Sequence, residues 1–306
     1  MRSTVFANVA CALALLSPAV FANGKGASTG FDAGALRVEQ RGKSGRPVIL
    51  IPGLSSGAWV WADTAARLEK NHQVYLLTLP GFDGRKPVEG TTFETLVQDL
   101  ATLIEVRKLD RPVLVGHSLG GTLSLALAAG HSKLIGGVIA VDGLPVFPGT
   151  ENVTGDRSAL AQQVRAQFAN QTPEQFAAGQ QAYMRQIGVL DAAQADKLAL
   201  LSGRSDPLAS GELAGQVMQL DLRPRLKDIA VPVVEISPFN APDLAAFGVD
   251  EAGKTNYYRG LLGGIADLEV VSVSPARHFV MFDQPEKFAA ALDAALAKII
   301  GTAPPR

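Results

Sequence analysis

Cysteine is almost absent from this chain of 306 residues, in which Cys11 is the only example. Cys11 lies in an N-terminal segment that we expect to be removed, so the mature chain should contain no thiol. Without cysteine a protein has no disulfide, no thiolate ligand for a metal ion and no cysteine nucleophile. Any chemistry that this chain performs must therefore depend on other side chains.

The chain also has little excess charge of either sign. It carries 28 basic and 29 acidic residues, and removal of a segment in which Arg2 is the one charged residue would leave 27 against 29, a net charge of −2. Nucleic acids and anionic lipid surfaces attract strongly basic proteins. We therefore expect neither of these partners.

Long apolar runs are missing except at the N-terminus. Arg2 gives a positive start, residues 5–20 are mostly apolar, and Ala22 ends a group of small or modest residues that a signal peptidase could cleave. A serine and a proline interrupt this run, which is shorter than the roughly 20 residues that span a membrane. The pattern predicts a cleaved secretory signal over residues 1–22, a periplasmic or secreted location, and no stable membrane insertion.

Apolar runs rich in Val, Ile and Leu alternate with helical segments along the rest of the chain. Runs that lack polar alternation are typical of strands covered on both faces of a parallel sheet. The alternation predicts an α/β fold with a doubly wound, mostly parallel sheet. The predicted strands are 47–51, 74–77, 113–115, 138–141, 233–236 and 270–273, and the predicted helices are about 59–70, 92–108, 119–131, 254–264 and 285–300.

The alternation stops once, in a segment rich in Ala and Gln that has helical periodicity. Thr172 precedes a proline and is followed three residues later by Gln175, and Asp206 also precedes a proline, so both indicate helix starts. About four helices inserted between two strands should form a cap over the carboxyl edge of the sheet, although a helical decoration remote from any site has the same pattern. The resulting divisions are a signal peptide (1–22), an N-terminal linker (23–36), the α/β core (37–146 and 227–300), the helical cap (147–226) and a tail (301–306).

A G-x-S-x-G motif, Gly116 to Gly120, has Ser118 at its centre. A predicted strand comes directly before it and a predicted helix directly after it, which is the context that makes this motif a nucleophile turn. The turn is tight and strained, so it needs glycines and raises the serine hydroxyl above the sheet. The motif predicts that Ser118 is a nucleophile, whereas a glycine-rich turn with an incidental serine is the structural alternative.

A serine hydroxyl needs a base to remove its proton, and the chain has four histidines. His278 lies five residues beyond the last predicted strand, on a loop that leads into the terminal helix. This is the last place in the chain order serine, acid, histidine. Of the other three, His72 fits a surface position, His117 fits support of the turn, and His131 fits the end of a helix. We therefore predict that His278 is the general base.

Two aspartates compete as the carboxylate that would orient His278. Asp142 ends the strand that should neighbour the nucleophile strand, whereas Asp243 follows the 233–236 strand by seven residues, beyond two prolines. A short loop at the end of a strand positions a side chain more tightly than a long one. We therefore favour Asp142, with Asp243 as the alternative acid, and Asp142 could instead be a structural residue of its turn.

Two backbone amides are candidates for an oxyanion hole. Leu119 follows the nucleophile at the start of a helix, and Leu54 follows Gly53 in a glycine-rich loop after the first predicted core strand. The same loop could also be a plain turn between a strand and a helix. For substrate binding we name apolar side chains of the cap region, which are Phe147, Tyr183 and Met218.

Over roughly residues 37–300 the chain resembles the α/β-hydrolase superfamily. The segments that carry the resemblance are 51–54 (IPGL), 79–82 (LPGF), 116–121 (GHSLGG) and 278–288 (HFVMFDQPEKF). Pro52 stands where relatives often have histidine, and the acid is displaced from its usual place after the later strand, although some members have it where Asp142 stands. The haloalkane dehalogenases of this superfamily have aspartate at the nucleophile position. Because this chain has Ser118 there, the sequence argues against a resemblance to that subgroup.

The motifs and the resemblance together predict a serine hydrolase that needs no metal or organic cofactor. Its substrate would be a small-molecule carboxylic ester, or less readily an amide or lactone, cleaved through an acyl-serine intermediate. An acyltransferase or a lactonase with the same triad is the enzymatic alternative. A ligand-binding member of the fold without turnover is the alternative from another class.

Overall fold

The computed structural model describes residues 29–301. The predicted signal peptide (1–22) and the tail beyond residue 301 lie outside the described residues. In the part of the chain that is described, none of the helices is both long and apolar enough to cross a membrane.

The described residues form an eight-stranded sheet in the order β1-β2-β4-β3-β5-β6-β7-β8. The strands are β1 (Thr29–Ala33), β2 (Leu36–Arg41), β3 (Pro47–Ile51), β4 (Gln73–Thr78), β5 (Val113–His117), β6 (Gly137–Val141), β7 (Val233–Pro238) and β8 (Leu268–Val273). β1, β2 and β4 pair antiparallel in succession, and all the pairings from β4 through β3 to β8 are parallel. The predicted doubly wound, mostly parallel α/β sheet is confirmed.

Helices cover both faces of the sheet, which explains why its central strands are apolar throughout. The helices are α1 (Ala62–Leu68), α2 (Phe93–Val106), α3 (Leu119–His131), α4 (Ser158–Ala169), α5 (Pro173–Tyr183), α6 (Ala192–Ser202), α7 (Pro207–Gln219), α8 (Ala241–Leu244), α9 (Glu251–Leu262), α10 (Val280–Asp283) and α11 (Pro285–Gly301). In β3, Val48 and Leu50 join the hydrophobic cluster on one face, while Ile49 and Ile51 join the cluster on the other. Because successive side chains point to opposite faces, a strand between two helical layers must be apolar at every position.

The structure corrects the predicted N-terminal linker of residues 23–36. Its last part forms β1, which pairs with β2 through a two-residue turn in which Gly34 has φ +57°. β1 contains a glycine and an aspartate, both rare in strands, so its sequence gave no strand pattern. Pairing with β2 and tertiary contacts stabilise it: Phe31 packs on the core beneath the Arg107 guanidinium, 4.3 Å from the ring centre.

The segment between β6 and β7 forms the four helices α4 to α7. Thr172 starts α5 with a reciprocal capping box: the Thr172 Oγ1 accepts from the Gln175 backbone amide at 3.2 Å, and the Gln175 Oε1 accepts from the Thr172 backbone amide at 2.8 Å. Asp206 caps α7 in a similar way by accepting from the Ala209 amide at 2.8 Å. Side chains that satisfy the first free amides of a helix explain why both helices begin at these residues.

Candidate active site

Ser118 lies at the sharp junction between β5 and α3. Its backbone has φ +52° and ψ −119°, a conformation that costs energy for a residue with a side chain. The Ser118 amide donates to the Val141 carbonyl of the neighbouring strand at 2.9 Å, and the Ser118 carbonyl accepts from the Gly121 amide at 2.8 Å. Bonds on both sides of the turn hold this strained residue in place.

The glycines of the motif are required by the close approach of other backbone atoms. A Cβ atom at Gly116 would lie 2.2 Å from the Gly120 carbonyl oxygen, and one at Gly120 would lie 2.3 Å from the Ile51 carbonyl oxygen. These distances are far below van der Waals contact with backbone that cannot move aside. The spacing of the motif is therefore a packing requirement of this junction.

The structure brings His278 to Asp142. The His278 Nδ1 lies 2.6 Å from the Asp142 Oδ2, and both side chains are about 15% exposed. The second carboxylate oxygen, Oδ1, accepts a hydrogen bond from the Tyr258 hydroxyl. Ser118 and Asp142 directly follow the paired residues His117 and Val141, so they lie at the carboxyl ends of two neighbouring strands, and His278 contacts Asp142 there.

The alternative acid, Asp243, lies in α8 and faces a different partner. Its two carboxylate oxygens each accept from the Arg277 guanidinium at 2.7 Å, in a bidentate ion pair. Arg277 precedes His278, so Asp243 contacts the histidine loop without contacting the imidazole. Of the two candidates, the geometry favours Asp142 as the partner of His278.

The electrostatic setting keeps Asp142 ionised. Burial would raise the pKa of its carboxyl, but the hydrogen bond and charge of His278, the charge of Lys254 and the Tyr258 hydroxyl together hold that pKa below its usual range. Glu235, a buried residue of β7, behaves in the opposite way, because burial and then the nearby Asp142 charge raise its pKa well above the usual value. One carboxylate of this pair carries the charge and the other stays protonated.

Four polar groups have no hydrogen-bond partner among the described residues and remain open for a substrate. Within residues 29–301, neither the Ser118 hydroxyl nor the His278 Nε2 has a hydrogen-bond partner, and the amides of Leu54 and Leu119 do not donate to another group. A Cβ atom at Gly53 would lie 3.1 Å from the Ser118 Cβ, which shows how closely the loop after β3 approaches Ser118. A hydroxyl, an imidazole nitrogen and two candidate oxyanion donors are therefore free of other hydrogen bonds and available to a substrate.

His117 is a site residue whose contacts the sequence did not reveal. It is fully buried, and its Nε2 donates to the His278 carbonyl oxygen at 3.1 Å. Its Nδ1 is buried without a partner among the described residues. Burial, followed by the charge of the nearby His278, lowers the pKa of His117 to about 3. His117 is therefore a neutral support for the histidine loop.

The cap contacts the histidine loop directly. α5 ends in a π-helical turn, Met184–Gly188, whose last carbonyls accept from the His278 amide at 3.2 Å and from the Phe279 amide at 2.9 Å. Asp283 bridges the same two segments, accepting from the Leu190 amide and from the Arg277 amide at 2.8 Å each. π-Helical turns are often found at functional sites, and this one ties the cap to the candidate base.

The three predicted substrate residues have different settings. Tyr183 lies in the cap with its ring perpendicular to the His278 imidazole, the ring centres 6.1 Å apart. Phe147 is 45% exposed between β6 and α4, and Met218 is partly buried on α7. Among the described residues, neither Phe147 nor Met218 contacts the imidazole through a ring contact or a hydrogen bond. The structure thus places Tyr183 beside the predicted base.

Other residues around the site have no signature in the sequence. Tyr258 and Lys254 lie on α9, and Glu235 lies inside a buried strand, so nothing in the local pattern connects them with Asp142. Across residues 29–301 there is no group of three or more His, Cys, Asp and Glu side chains that could hold a metal ion.

Comparison with known proteins places these features in a family. A sequence model described as the alpha/beta hydrolase family matches residues 48–291. The chain is 28% identical over 198 residues to a pimeloyl-acyl-carrier-protein methyl ester esterase of Vibrio atlanticus, covering 63% of this chain and 75% of that protein. It is 33% identical over 123 residues to a carbendazim hydrolyzing esterase of a Nocardioides species, covering 39% of this chain and 51% of that protein.

The fold also matches solved structures. The crystal structure of an enol-lactonase from Burkholderia xenovorans is similar to this chain with a TM-score of 0.71 and 20% sequence identity, covering 86% of this chain and 96% of that protein. Identity this low shows a common fold and carries no information about the substrate. The range matched by the family model runs from β3 into α11 and includes Ser118, Asp142 and His278.

Proposed function

This chain belongs to the alpha/beta hydrolase family, and we propose that it hydrolyses a carboxylic ester of a small molecule through an acyl-serine intermediate. Ser118 is the nucleophile, His278 the general base and Asp142 the acid that orients it. The observation that carries the proposal is the 2.6 Å contact between the His278 Nδ1 and the Asp142 Oδ2 beside a strained serine. Two relatives named as esterases support an ester in preference to an amide.

The first half of the reaction forms the acyl-enzyme. The Ser118 oxygen attacks the ester carbonyl carbon while its proton passes to the His278 Nε2. The carbonyl oxygen becomes an oxyanion, for which the amides of Leu54 and Leu119 are the donors. The bond to the alcohol oxygen then breaks, and His278 gives the proton to the departing alcohol.

The second half releases the acid. A water molecule attacks the acyl carbon while the His278 Nε2 takes one of its protons, and the bond between carbon and the serine oxygen breaks. The proton returns to Ser118, so that the products are one carboxylic acid and one alcohol and the enzyme is regenerated. Asp142 stays ionised throughout and stabilises the imidazolium that forms twice.

Replacement of the nucleophile tests the proposal. We expect Ser118→Ala to lower turnover of p-nitrophenyl esters by about 10⁴- to 10⁶-fold, because only binding and oxyanion stabilisation remain. We also expect it to abolish covalent labelling by a fluorophosphonate. Esters of graded acyl length define the preferred acyl group in the same assay.

Ser158→Ala, a substitution in the cap helix α4 that removes the same hydroxyl group, is the matched control and should retain both turnover and labelling. Circular dichroism establishes that each variant is folded. A folded Ser118→Ala variant with turnover near that of the wild type would rule out the mechanism.

A further inference from the structure

Both oxygens of the Asp142 carboxylate are occupied by different donors. Oδ2 faces the His278 Nδ1, and Oδ1 accepts from the Tyr258 hydroxyl. Rotation of the carboxylate away from His278 would break both hydrogen bonds together. Tyr258 therefore restrains the rotation of the Asp142 carboxylate, and that rotation determines whether the carboxylate can orient the imidazole.

The backbone of Asp142 needs support because it is strained. Its φ of +50° lies in the left-handed region, which is unfavourable for a residue other than glycine. β7 holds this turn from one side, since the Asp142 amide donates to the Ile236 carbonyl at 3.0 Å and the Gly143 amide donates to the Glu235 Oε1 at 3.2 Å. These bonds fix the main chain and leave the direction of the carboxylate to groups that contact its oxygens.

Tyr258 is itself held firmly. It is 5% exposed on α9, and the Lys254 Nζ lies 5.3 Å from its ring centre while donating to the Pro238 carbonyl. Burial, and then the charge of Asp142, raise the pKa of the Tyr258 hydroxyl well above its usual value. The hydroxyl consequently keeps its proton and can only be the donor in its bond to the carboxylate.

We propose that Tyr258 is a positioning residue of the triad, whose hydroxyl fixes Asp142 so that the carboxylate orients His278 for proton transfer. This inference rests on the proposed function. It assigns α9 a part in the reaction although Tyr258 touches neither substrate nor the reacting atoms. The alternative is a purely structural hydrogen bond that holds α9 against β6.

Tyr258→Phe tests the proposal, with Tyr257→Phe as a matched control. Both substitutions remove one phenolic hydroxyl from the same helix, but the Tyr257 hydroxyl donates to Glu151, away from the triad. We expect Tyr258→Phe to lower kcat about 10-fold with little change in KM, since the lost bond to a charged group is worth more in the transition state. Tyr257→Phe should leave both constants near those of the wild type.

Two further measurements distinguish positioning from structure. The low-field proton resonance of His278 Nδ1–H should shift in Tyr258→Phe and stay in place in Tyr257→Phe. In an Asp142→Ala background, Tyr258→Phe should cause no further loss of kcat, because a residue that acts through Asp142 has nothing left to position. Rates are expressed per folded protein as determined by circular dichroism.

Equal kcat values for the two Tyr→Phe variants, an unshifted resonance, or a full additional loss in the Asp142→Ala background would overturn the inference. Such a result, with turnover still strongly reduced in Asp142→Ala and Ser118→Ala, would leave the proposed function standing. Turnover near that of the wild type in those two variants would instead overturn the proposed function itself. The two failures are therefore distinguishable within one set of proteins.

Discussion

At the scale of single residues, Asp142 and Asp243 show how different contacts give two similar side chains different roles. Both lie near the histidine loop, and in both a hydrogen bond from the neighbouring side chain, His278 or Arg277, lowers the pKa of the carboxyl against the opposing effect of burial. Asp142 faces the imidazole of His278, whereas Asp243 faces the guanidinium of Arg277. The first contact can orient a base, while the second anchors a loop on the protein surface.

Substitution of each aspartate by asparagine should therefore have unequal effects. We expect Asp142→Asn to lower kcat by about 10⁴-fold, because an amide would hold the wrong imidazole tautomer. Asp243→Asn should cost less than about 10-fold, since it weakens hydrogen bonds worth about 1 to 3 kcal/mol that act only on the loop. Steady-state kinetics on the two folded variants provide the comparison. A larger loss of kcat in Asp243→Asn would show that Asp243, after the later strand, is the acid of the triad.

At the scale of elements, β7 carries a carboxyl group where a buried strand normally has an apolar side chain. Glu235 is fully buried, its Oε1 accepts from the Gly143 amide at 3.2 Å, and its Oε2 has no partner among the described residues. An ionised carboxylate in this setting would be very costly. The strand can keep this residue because the group is protonated when the protein is folded.

The charge state of Glu235 should appear in the pH dependence of stability. Its pKa in the folded protein is raised above the usual 4.5, so above about pH 4.5 the unfolded chain releases a proton that the folded protein keeps. Its contribution to the free energy of unfolding is then lost as pH rises, by at most about 1.4 kcal/mol per pH unit. Glu235→Gln cannot ionise, so its stability relative to the wild type should increase from about pH 5 to 8.

Urea unfolding followed by circular dichroism at several pH values measures this difference. Glu94→Gln, at an exposed position on α2, is the matched control and should remain at a constant offset from the wild type. Parallel stability curves for Glu235→Gln and the wild type over the same range would contradict the prediction.

The cap is also an element whose role depends on its contacts. The π-helical turn Met184–Gly188 and Asp283 attach it to the loop of His278 through four hydrogen bonds between 2.8 and 3.2 Å. Two of these bonds come from the backbone amides of His278 and Phe279, so the cap holds the main chain of the candidate base. This geometry supports the placement of Tyr183 beside the imidazole.

For the whole molecule we propose export, because the charged start, the apolar middle and Ala22 together have the pattern of a secretory signal. When the full chain is produced in a bacterial host, the extracytoplasmic fraction should contain a protein that begins at Asn23. Mass spectrometry of the intact protein in each fraction checks the site. Recovery of only the full-length chain, in the cytoplasm, would refute the proposal.

Much of the architecture could be predicted from local sequence. The runs at 48–51 and 138–141 are apolar at every position because strands between two helical layers require it. Ser118 was identifiable because a strained junction between strand and helix admits only glycine at the two flanking positions, where a Cβ atom would meet backbone at about 2.2 Å. β1 was missed because its stability comes from pairing with β2 and from packing of Phe31.

The sequence by itself determined that the sheet is mostly parallel, that helices start at Thr172 and Asp206, and that the sharp turn lies at Ser118. Each of these follows from the spacing of residues within a short segment. Only the tertiary structure decided which aspartate meets His278, and it revealed the contacts of Tyr258, His117 and the cap turn. Those contacts join residues such as Asp142 and His278, which are 136 positions apart. Strand order and helix packing bring such pairs together, and no local pattern encodes a distance across the fold.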